Sequence, residues 1–269
     1  MELEQKHERL RGVFAEMGSV LVAYSGGLDS AFVLAVARDV LGDRAVALTA
    51  VSPSLPEREK RDAMRIASEL GARHELVESD EIHNPSYASN PSNRCFHCKS
   101  ELYSITTRRL TELGLAFVVN GTNLDDLGDY RPGLEAARNA GVRSPLVEAQ
   151  LHKEEVRALA KLRGLDFWDK PAAACLSSRI PYGTEVTPER LKQVEQLEDA
   201  LHALGLRQLR VRYHDALARV EVGETELPKA FEQRSEIVAA GRAAGFTFVT
   251  LDLAGYKTGS LNQLLRVLK

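Results

Sequence analysis

The chain has 269 residues, of which 44% are hydrophobic and 27% are charged, a composition typical of an ordinary globular protein. Lys and Arg number 35 and Asp and Glu 38, and the net charge of −3 disfavours nucleic acid as the main partner. No apolar run approaches the roughly 20 residues that a membrane span needs. The first eleven residues are charged and polar, unlike a signal peptide, so we expect a cytoplasmic protein. Three cysteines, Cys95, Cys98 and Cys175, argue against a disulfide framework and point to metal binding or catalysis.

The first half of the chain alternates between predicted helices and strands. A lead-in helix over 1–18 precedes a strand over 20–23, a helix over 28–41 and a strand over 45–51. A helix capped near Ser54, with Pro56 in its first turn, then runs to Leu70. A strand over 74–77, a loop over 81–93, a helix over 100–113 and a strand over 116–119 complete this part. The order predicts an α/β fold, a parallel sheet with helices on both faces.

The second half of the chain starts with predicted helices over 134–140 and 153–163. The stretch 167–186 has no clear period, and we place a boundary in it, with one domain over 1–170 and another over 171–269. In the second domain we predict a helix over 188–204 capped by Thr187, a hairpin of strands over 209–213 and 217–222, a helix over 228–240 and a strand over 246–253. These elements predict a small α+β unit.

A glycine-bearing loop, Tyr24-Ser25-Gly26-Gly27-Leu28-Asp29-Ser30, lies where the first strand turns into a helix. Glycines allow close approach of a ligand, and the free N–H groups of a helix start bind anions, most often phosphate. The Lys of a Walker A loop and the G-x-G-x-x-G pattern are both absent. The pattern S-G-G-x-D-S resembles the PP-loop of ATP pyrophosphatases, the adenine nucleotide alpha hydrolase-like fold. We expect Ser25, Gly26, Gly27 and Ser30 to hold pyrophosphate and Asp29 to bind Mg²⁺.

A second polar loop follows the predicted strand over 116–119. It contains Asn120-Gly121-Thr122-Asn123 and then Asp125, Asp126 and Asp129. Because the carboxyl ends of parallel strands share one sheet edge, we expect this loop beside the first one. Gly121, Thr122, Asn123 and Asp126 are candidate nucleotide-binding residues. Any one of the three aspartates contacts metal or ribose, or is an ordinary solvated loop carboxylate.

The cysteines leave several chemistries open. Cys95-x-x-Cys98 is half of a zinc site with no second C-x-x-C, a redox pair, or part of a set with Cys175. Three thiolates are one short of the four that normally hold a [4Fe–4S] cluster, and the unligated iron would accept an outside ligand. Cys175 lies among small residues with Arg179 nearby, and a thiolate there is a nucleophile for an adenylated carboxylate. If none of these chemistries applies, the three cysteines are idle thiols or thiols of the hydrophobic core.

Arg210, Arg212 and His214 share one parity in a predicted strand. Alternate residues of a strand point to the same face, so these cations form either a seat for a phosphate or carboxylate or a solvated sheet face.

Four segments together resemble the LarE family, ATP-dependent sulfur transferases that build the nickel-pincer nucleotide cofactor of lactate racemase. The resemblance covers nearly the whole chain. It rests on 25–30, on Arg94-Cys95-x-x-Cys98-Lys99-x-x-Leu102-Tyr103, on 120–126 with Arg131-Pro132-Gly133, and on Cys175-Leu176-x-Ser178-Arg179-Ile180-Pro181-Tyr182-Gly183.

The resemblance implies a substrate, pyridinium-3,5-biscarboxylic acid mononucleotide, and a reaction. ATP adenylates a carboxylate, pyrophosphate leaves, and sulfur replaces AMP. It further implies that Ser178, Arg179, Arg210 and Arg212 hold the substrate and that family members are homo-oligomers such as hexamers. In one branch a cysteine at the Cys175 position gives up its sulfur and becomes dehydroalanine. In the other, three cysteines hold a [4Fe–4S] cluster that supplies sulfide. The three cysteines favour the cluster branch, with ATP, Mg²⁺ and the cluster as cofactors.

Two alternatives compete with this interpretation. One is a cluster-dependent tRNA thiolase, which would want a basic surface, whereas the net charge here is −3. The other is a non-enzymatic sensor of adenine nucleotides with a structural metal. We therefore expect a small-molecule substrate and neither nucleic acid nor membrane as a partner.

Overall fold

The structure is a computed structural model and describes residues 2–128, 132–171 and 174–257. Within these residues, the helices are α1 Leu3–Met17, α2 Leu28–Leu41, α3 Glu57–Glu69, α4 Pro85–Ala88, α5 Arg94–Leu113, α6 Pro132–Asn139, α7 Pro145–Glu148, α8 Lys153–Leu162, α9 Pro188–Ala203, α10 Leu227–Glu232 and α11 Arg234–Ala243. The strands are β1 Val20–Ala23, β2 Ala45–Val51, β3 Arg73–Glu78, β4 Phe117–Val119, β5 Leu209–His214, β6 Leu217–Val222 and β7 Phe248–Leu251. Among the described residues, no helix combines the length and apolar composition that crossing a membrane requires.

Two compact units divide the chain. The first comprises 1–81 and 93–173, and the second comprises 82–92 and 174–269. The predicted boundary after residue 170 assigned 82–92 to the first domain. The structure instead groups this segment with the second unit, although the residues on both sides of it belong to the first.

A parallel sheet in the order β3-β2-β1-β4 forms the centre of the first unit. Successive residues of β1 point to opposite faces, so Val20 and Val22 join a core with α1, α2, α3 and α8, while Leu21 packs with Ile105 of α5. Both faces are therefore covered by helices, which confirms the predicted α/β class.

The second unit contains a three-stranded sheet in the order β5-β6-β7. The predicted hairpin of β5 and β6 is antiparallel, and Asp215 takes φ 53° in its turn. β7 joins parallel to β6, and Thr187 caps α9 by accepting the Arg190 N–H at 3.3 Å, as predicted. Helices and strands lie beside each other in this unit, in agreement with the α+β expectation.

The segment 82–92 is built into the second unit by hydrogen bonds. The Tyr87 hydroxyl lies 2.5 Å from the Ser177 hydroxyl. The fully buried Asn90 donates from Nδ2 to the carbonyls of Pro181 at 2.8 Å and Thr184 at 2.9 Å. Because satisfied buried polar groups fix a backbone, this segment is part of the second unit's framework.

Several predicted boundaries were wrong. The N-cap of α3 is Pro56, not Ser54, and it makes no side-chain cap hydrogen bond. The loop over 81–93 contains the one-turn helix α4, and the helix predicted over 228–240 is two helices that meet at Gln233. β7 is shorter than predicted. The change with most bearing on function is that α5 begins at Arg94 rather than near residue 100, which places Cys95 and Cys98 on the helix.

Candidate functional site

The glycine-bearing loop connects β1 to α2 at the carboxyl edge of the parallel sheet. Gly26 adopts φ +71°, and a Cβ at this position would lie 2.7 Å from the Cβ of Ala63 in α3. Gly27 is the N-cap of α2 with φ −77°, so of the two glycines only Gly26 takes the left-handed conformation. The loop thus runs tight against α3 and ends in the N–H groups that open α2.

Two serine hydroxyls fold this loop back on itself. Ser30 Oγ donates to the Gly27 carbonyl at 3.1 Å and accepts the Ser25 N–H at 3.2 Å. Ser25 Oγ lies 3.1 Å from Ser30 Oγ and accepts the Gly27 N–H at 3.4 Å. These bonds hold the turn together where it runs into the start of α2, and a helix start preceded by glycines is a common place for a phosphate.

The second polar loop lies directly against the first, as the strand order predicted. A Cβ on Gly121 would sit 2.6 Å from the Ser30 nitrogen, so only glycine allows this approach. Asn123, which is buried, donates from Nδ2 to Asp29 Oδ1 at 3.2 Å and accepts the Asp125 N–H on its Oδ1 at 2.9 Å. Asp126 accepts the Asn123 N–H at 3.1 Å, and Thr122 donates its N–H to Asn120 Oδ1 at 3.0 Å.

The predicted aspartates of this loop have different surroundings. Asp125 accepts the Lys153 N–H and lies 2.7 Å from His152 Nδ1, and these contacts lower the pKa of its carboxyl. Asp125 therefore anchors the start of α8 rather than facing Asp29. Asp129, and Arg131 of the next segment, lie outside the described residues.

Asp29 has one partner that the sequence did not reveal. Lys153, in the first turn of α8, places Nζ 2.6 Å from Asp29 Oδ2. The pairing joins residues 124 positions apart, so spacing alone could not find it. One sequence signal could have pointed to Lys153: it is a cation in the first turn of a helix, where the helix dipole disfavours positive charge.

A buried chain of contacts supports the loop from behind. Thr49 donates to the Tyr24 carbonyl at 2.8 Å and lies 2.8 Å from His74 Nε2. The Tyr24 hydroxyl donates to the Ala63 carbonyl at 3.1 Å. Burial raises the pKa of Tyr24 and lowers that of His74, so both rings are held neutral at pH 7.

Cys95 and Cys98 lie on α5 in the first unit, and Cys175 lies in the second unit. Residues three apart on a helix share a face, so Cys95 and Cys98 point to the same side. Cys95 and Cys175 are exposed, Cys98 is partly buried, and none forms a disulfide. Within each unit taken by itself, the described residues contain no group of three His, Cys, Asp or Glu side chains arranged to hold a metal.

The predicted substrate residues of the second unit are mostly engaged in internal contacts. Arg179 donates to both carboxylate oxygens of Glu198 at 2.9 and 2.8 Å, and to the Cys175 carbonyl at 2.9 Å. Burial works to lower the pKa of Arg179, but the Glu198 carboxylate more than offsets it and raises that pKa. Arg212 donates to the fully buried Glu221 at 2.8 Å and to the Ser178 carbonyl at 3.0 Å.

Arg210 differs from these two arginines. Its Nη1 donates to the Leu209 carbonyl at 2.6 Å, and its guanidinium lies 5.2 Å from the Tyr256 ring. Burial and the neighbouring charge of Arg179 lower its pKa.

Comparisons with known proteins bear on this arrangement. Residues 3–100 match the NAD synthase family model. The chain is 49% identical over 265 residues to an uncharacterized protein of Synechocystis sp., covering 98% of this chain and 99% of that protein. It is 37% identical over 264 residues to the pyridinium-3,5-bisthiocarboxylic acid mononucleotide synthase of Lactiplantibacillus plantarum, covering 98% and 96%.

The chain belongs to the LarE family. This confirms the resemblance drawn from its four segments. The LarE-family chain is an enzyme, and its NAD synthase match relates it to the PP-loop enzymes, which use ATP with Mg²⁺. A more distant relative is an uncharacterized protein of Methanocaldococcus jannaschii, 28% identical over 89% of this chain and 91% of that protein.

Proposed function

We propose that this chain inserts sulfur into the two carboxylates of pyridinium-3,5-biscarboxylic acid mononucleotide in an ATP-dependent reaction, as a step in building the nickel-pincer nucleotide. The observation that carries the proposal is the 37% identity, over 98% of the chain, to a synthase named for the bisthiocarboxylic product. The tight loop over 25–30 beside Gly121 supports the use of a nucleoside triphosphate.

The first step activates a carboxylate, which is a poor electrophile. A substrate carboxylate oxygen attacks the α-phosphorus of ATP, the bond from that phosphorus to the bridging oxygen breaks, and pyrophosphate leaves. The amides of Gly26 and Gly27 and the hydroxyls of Ser25 and Ser30 hold the pyrophosphate, since donors aimed at developing charge stabilise it. Gly121, Thr122, Asn123 and Asp126 line the neighbouring loop and contact the nucleotide.

Asp29 is the proposed magnesium ligand. Its carboxylate is only 19% exposed, lies at the loop, and has Asn123 and Lys153 as polar neighbours. Magnesium prefers one or two carboxylates together with phosphate oxygens, so this residue set fits the ion. The ion would supply charge neutralisation of the phosphates.

The second step replaces AMP with sulfur. A hydrosulfide or thiolate attacks the acyl carbon of the mixed anhydride, and AMP leaves with the electron pair of the broken C–O bond. The sequence of adenylation and replacement then repeats on the second carboxylate. Water must be excluded throughout, because it would return the adenylate to the carboxylate.

For the sulfur source we propose Cys95, Cys98 and Cys175 as ligands of a [4Fe–4S] cluster. Cys95 and Cys98 fit as two adjacent ligands because they share one face of a helix, form no disulfide and are not fully buried. When bound, such a cluster supplies an open iron that can carry a hydrosulfide. The alternative is sacrificial: the Cys175 thiolate forms a thioester, and loss of its Cα proton with cleavage of the Cβ–S bond leaves dehydroalanine and a thiocarboxylate.

The four predicted substrate residues, Ser178, Arg179, Arg210 and Arg212, remain our proposal for holding the substrate. Burial, together with the nearby charge of Arg179, lowers the pKa of Arg210. Arg179 and Arg212 already each have a carboxylate partner. We expect these two to orient Ser178 and its turn as well as any substrate they contact.

The proposal is tested with anaerobically purified protein, ATP, Mg²⁺ and the pyridinium dicarboxylate mononucleotide. Pyrophosphate release is followed by an enzyme-coupled assay, and the mass of the nucleotide product reports each oxygen-to-sulfur exchange. We expect Asp29→Ala to abolish pyrophosphate release. If the wild type releases no pyrophosphate with this substrate while still binding ATP, the proposed function is wrong and a nucleotide sensor is favoured.

Iron and acid-labile sulfide content distinguish the two sulfur sources. We expect about four irons per chain, with Cys95→Ala losing iron but still releasing pyrophosphate. Absence of iron, combined with loss of the mass of H₂S from Cys175 after turnover, would instead establish the sacrificial route.

We also propose a cytoplasmic homo-oligomer, such as a hexamer, that acts on a small molecule and binds neither nucleic acid nor membrane. Light scattering during gel filtration measures the assembly. Salt-dependent binding of bulk tRNA at micromolar protein would contradict the absence of a nucleic-acid partner and favour the tRNA thiolase.

A further inference from the structure

Both carboxylate oxygens of Asp29 are engaged. Oδ1 accepts from Asn123 at 3.2 Å and Oδ2 accepts from the Lys153 ammonium at 2.6 Å. The Lys153 side chain is 33% exposed and that of Asp29 is 19% exposed. The ion pair is therefore only partly buried.

Lys153 is placed against the electrostatic preference of its helix. It occupies the first turn of α8, where the helix dipole favours anions such as Glu154 and Glu155, which follow it. Its own N–H donates to Asp125 Oδ2 at 2.7 Å. That bond holds the main chain of Lys153, so its side chain starts from a fixed point within reach of the loop.

A divalent cation bound to Asp29 would compete directly with this ammonium. With a metal bound to Asp29, the contact of 2.6 Å between Oδ2 and the lysine nitrogen becomes less favourable, because the two positive charges repel. The four-carbon stem of lysine has freely rotatable bonds, so Nζ can leave Asp29 while its main chain stays fixed. The anion that arrives with the metal is the triphosphate itself.

We propose that Lys153 is a phosphate-binding residue that exchanges partners. Without nucleotide, it neutralises Asp29. With magnesium nucleotide, it moves its ammonium to the β- and γ-phosphates and holds the pyrophosphate that leaves. This inference rests on the proposed use of ATP at the loop over 25–30.

The competing interpretation is that Lys153 only neutralises Asp29. In that case removing its charge would free the carboxylate, so magnesium would bind at least as well and pyrophosphate affinity would not fall. If Lys153 instead moves to the phosphates, removing its charge deletes a charge-assisted hydrogen bond to phosphate. Such a loss weakens pyrophosphate binding by about 10-fold or more.

The test is calorimetric titration of inorganic pyrophosphate, in the presence of Mg²⁺, into wild type, Lys153→Met and Lys153→Arg. Lys6→Met is the matched control, because Lys6 pairs with Glu155 of the same helix at 2.6 Å and is also partly buried. We expect Lys153→Met to lose about 10-fold or more in affinity, Lys153→Arg to recover most of it, and Lys6→Met to match the wild type.

The outcomes separate this inference from the proposed function. Equal pyrophosphate affinity in wild type and Lys153→Met would overturn the partner exchange, whatever the substrate of the enzyme. A wild type that binds no magnesium pyrophosphate would overturn it together with the role of the loop. A wild type that binds pyrophosphate, and loses it with Lys153→Met, but forms no adenylate with the dicarboxylate would support the inference and refute the proposed substrate.

Discussion

Gly121 is the position at which the two loops of the candidate site meet most closely, and Gly121→Ala should disable it. The added Cβ would lie 2.6 Å from the Ser30 nitrogen and 2.9 Å from the Asp29 carbonyl carbon, both main-chain atoms. Ordinary contacts need about 3.5 Å, so one loop must move by roughly 1 Å. Overpacking of this kind costs about 1–3 kcal/mol of unfolding free energy, and a misplacement of about 1 Å lowers a rate by about 100-fold.

The assay compares magnesium ATP affinity, pyrophosphate release and the thermal midpoint of Gly121→Ala with those of the wild type. Gly12→Ala is the matched control, because nothing lies within 4 Å of an added Cβ there and the position is inside α1. It should keep its activity and gain about 0.5–1 kcal/mol in stability. Wild-type ATP affinity and release in Gly121→Ala would refute the reasoning that this close approach shapes the site.

Three further predictions concern stability. Burial lowers the pKa of His74 below its unfolded value, so its contribution to the free energy of unfolding is complete above about pH 6.5 and is lost as pH falls from there towards the folded pKa. In His74→Gln, the urea midpoint should therefore change less between pH 7 and pH 5 than it does in the wild type. Arg212→Met leaves the buried Glu221 with a weaker partner set and should cost about 3–5 kcal/mol in urea denaturation, part of which a second change, Glu221→Gln, restores. The pKa of Asp125 is lowered, so Asp125→Asn should lower the thermal midpoint above about pH 4, with the difference vanishing as pH falls through the folded pKa.

The sequence predicted the fold correctly where the signal lies within one short segment of the chain. The run Val20–Ala23 followed by two glycines and an amphipathic stretch predicted a strand, a turn and a helix, and the order of such units predicted a parallel sheet with both loops at one edge. It failed at the start of α5, because Pro91 and the asparagines around it are typical of turns, and nothing nearby shows that Arg94 is buried.

The ion pairs of the candidate sites depend on contacts between distant segments. The strand parity of Arg212 left open an anion seat or a solvated sheet face, and it gave no sign that Arg212 is buried and donates to the Ser178 carbonyl. Glu198 did carry a signal, since it shares the apolar face of α9 with Val194 and Leu201. A lone carboxylate on such a face requires a buried partner, and Arg179 is that partner.

The assignment of 82–92 to the second unit has a consequence for biosynthesis. Asn90 donates to carbonyls that lie 90 to 94 positions later in the chain. At about 5–20 residues per second, the ribosome needs roughly 5 to 20 seconds to make that intervening stretch. During this interval the ribosome makes the rest of the first unit, while the segment 82–92, which belongs to the second unit, has already been made. The nascent chain therefore contains Tyr87 and Asn90 before their hydrogen-bond partners at Ser177 and in 180–184 have been made. For the same reason, the two units cannot be produced separately by a single cut in the gene.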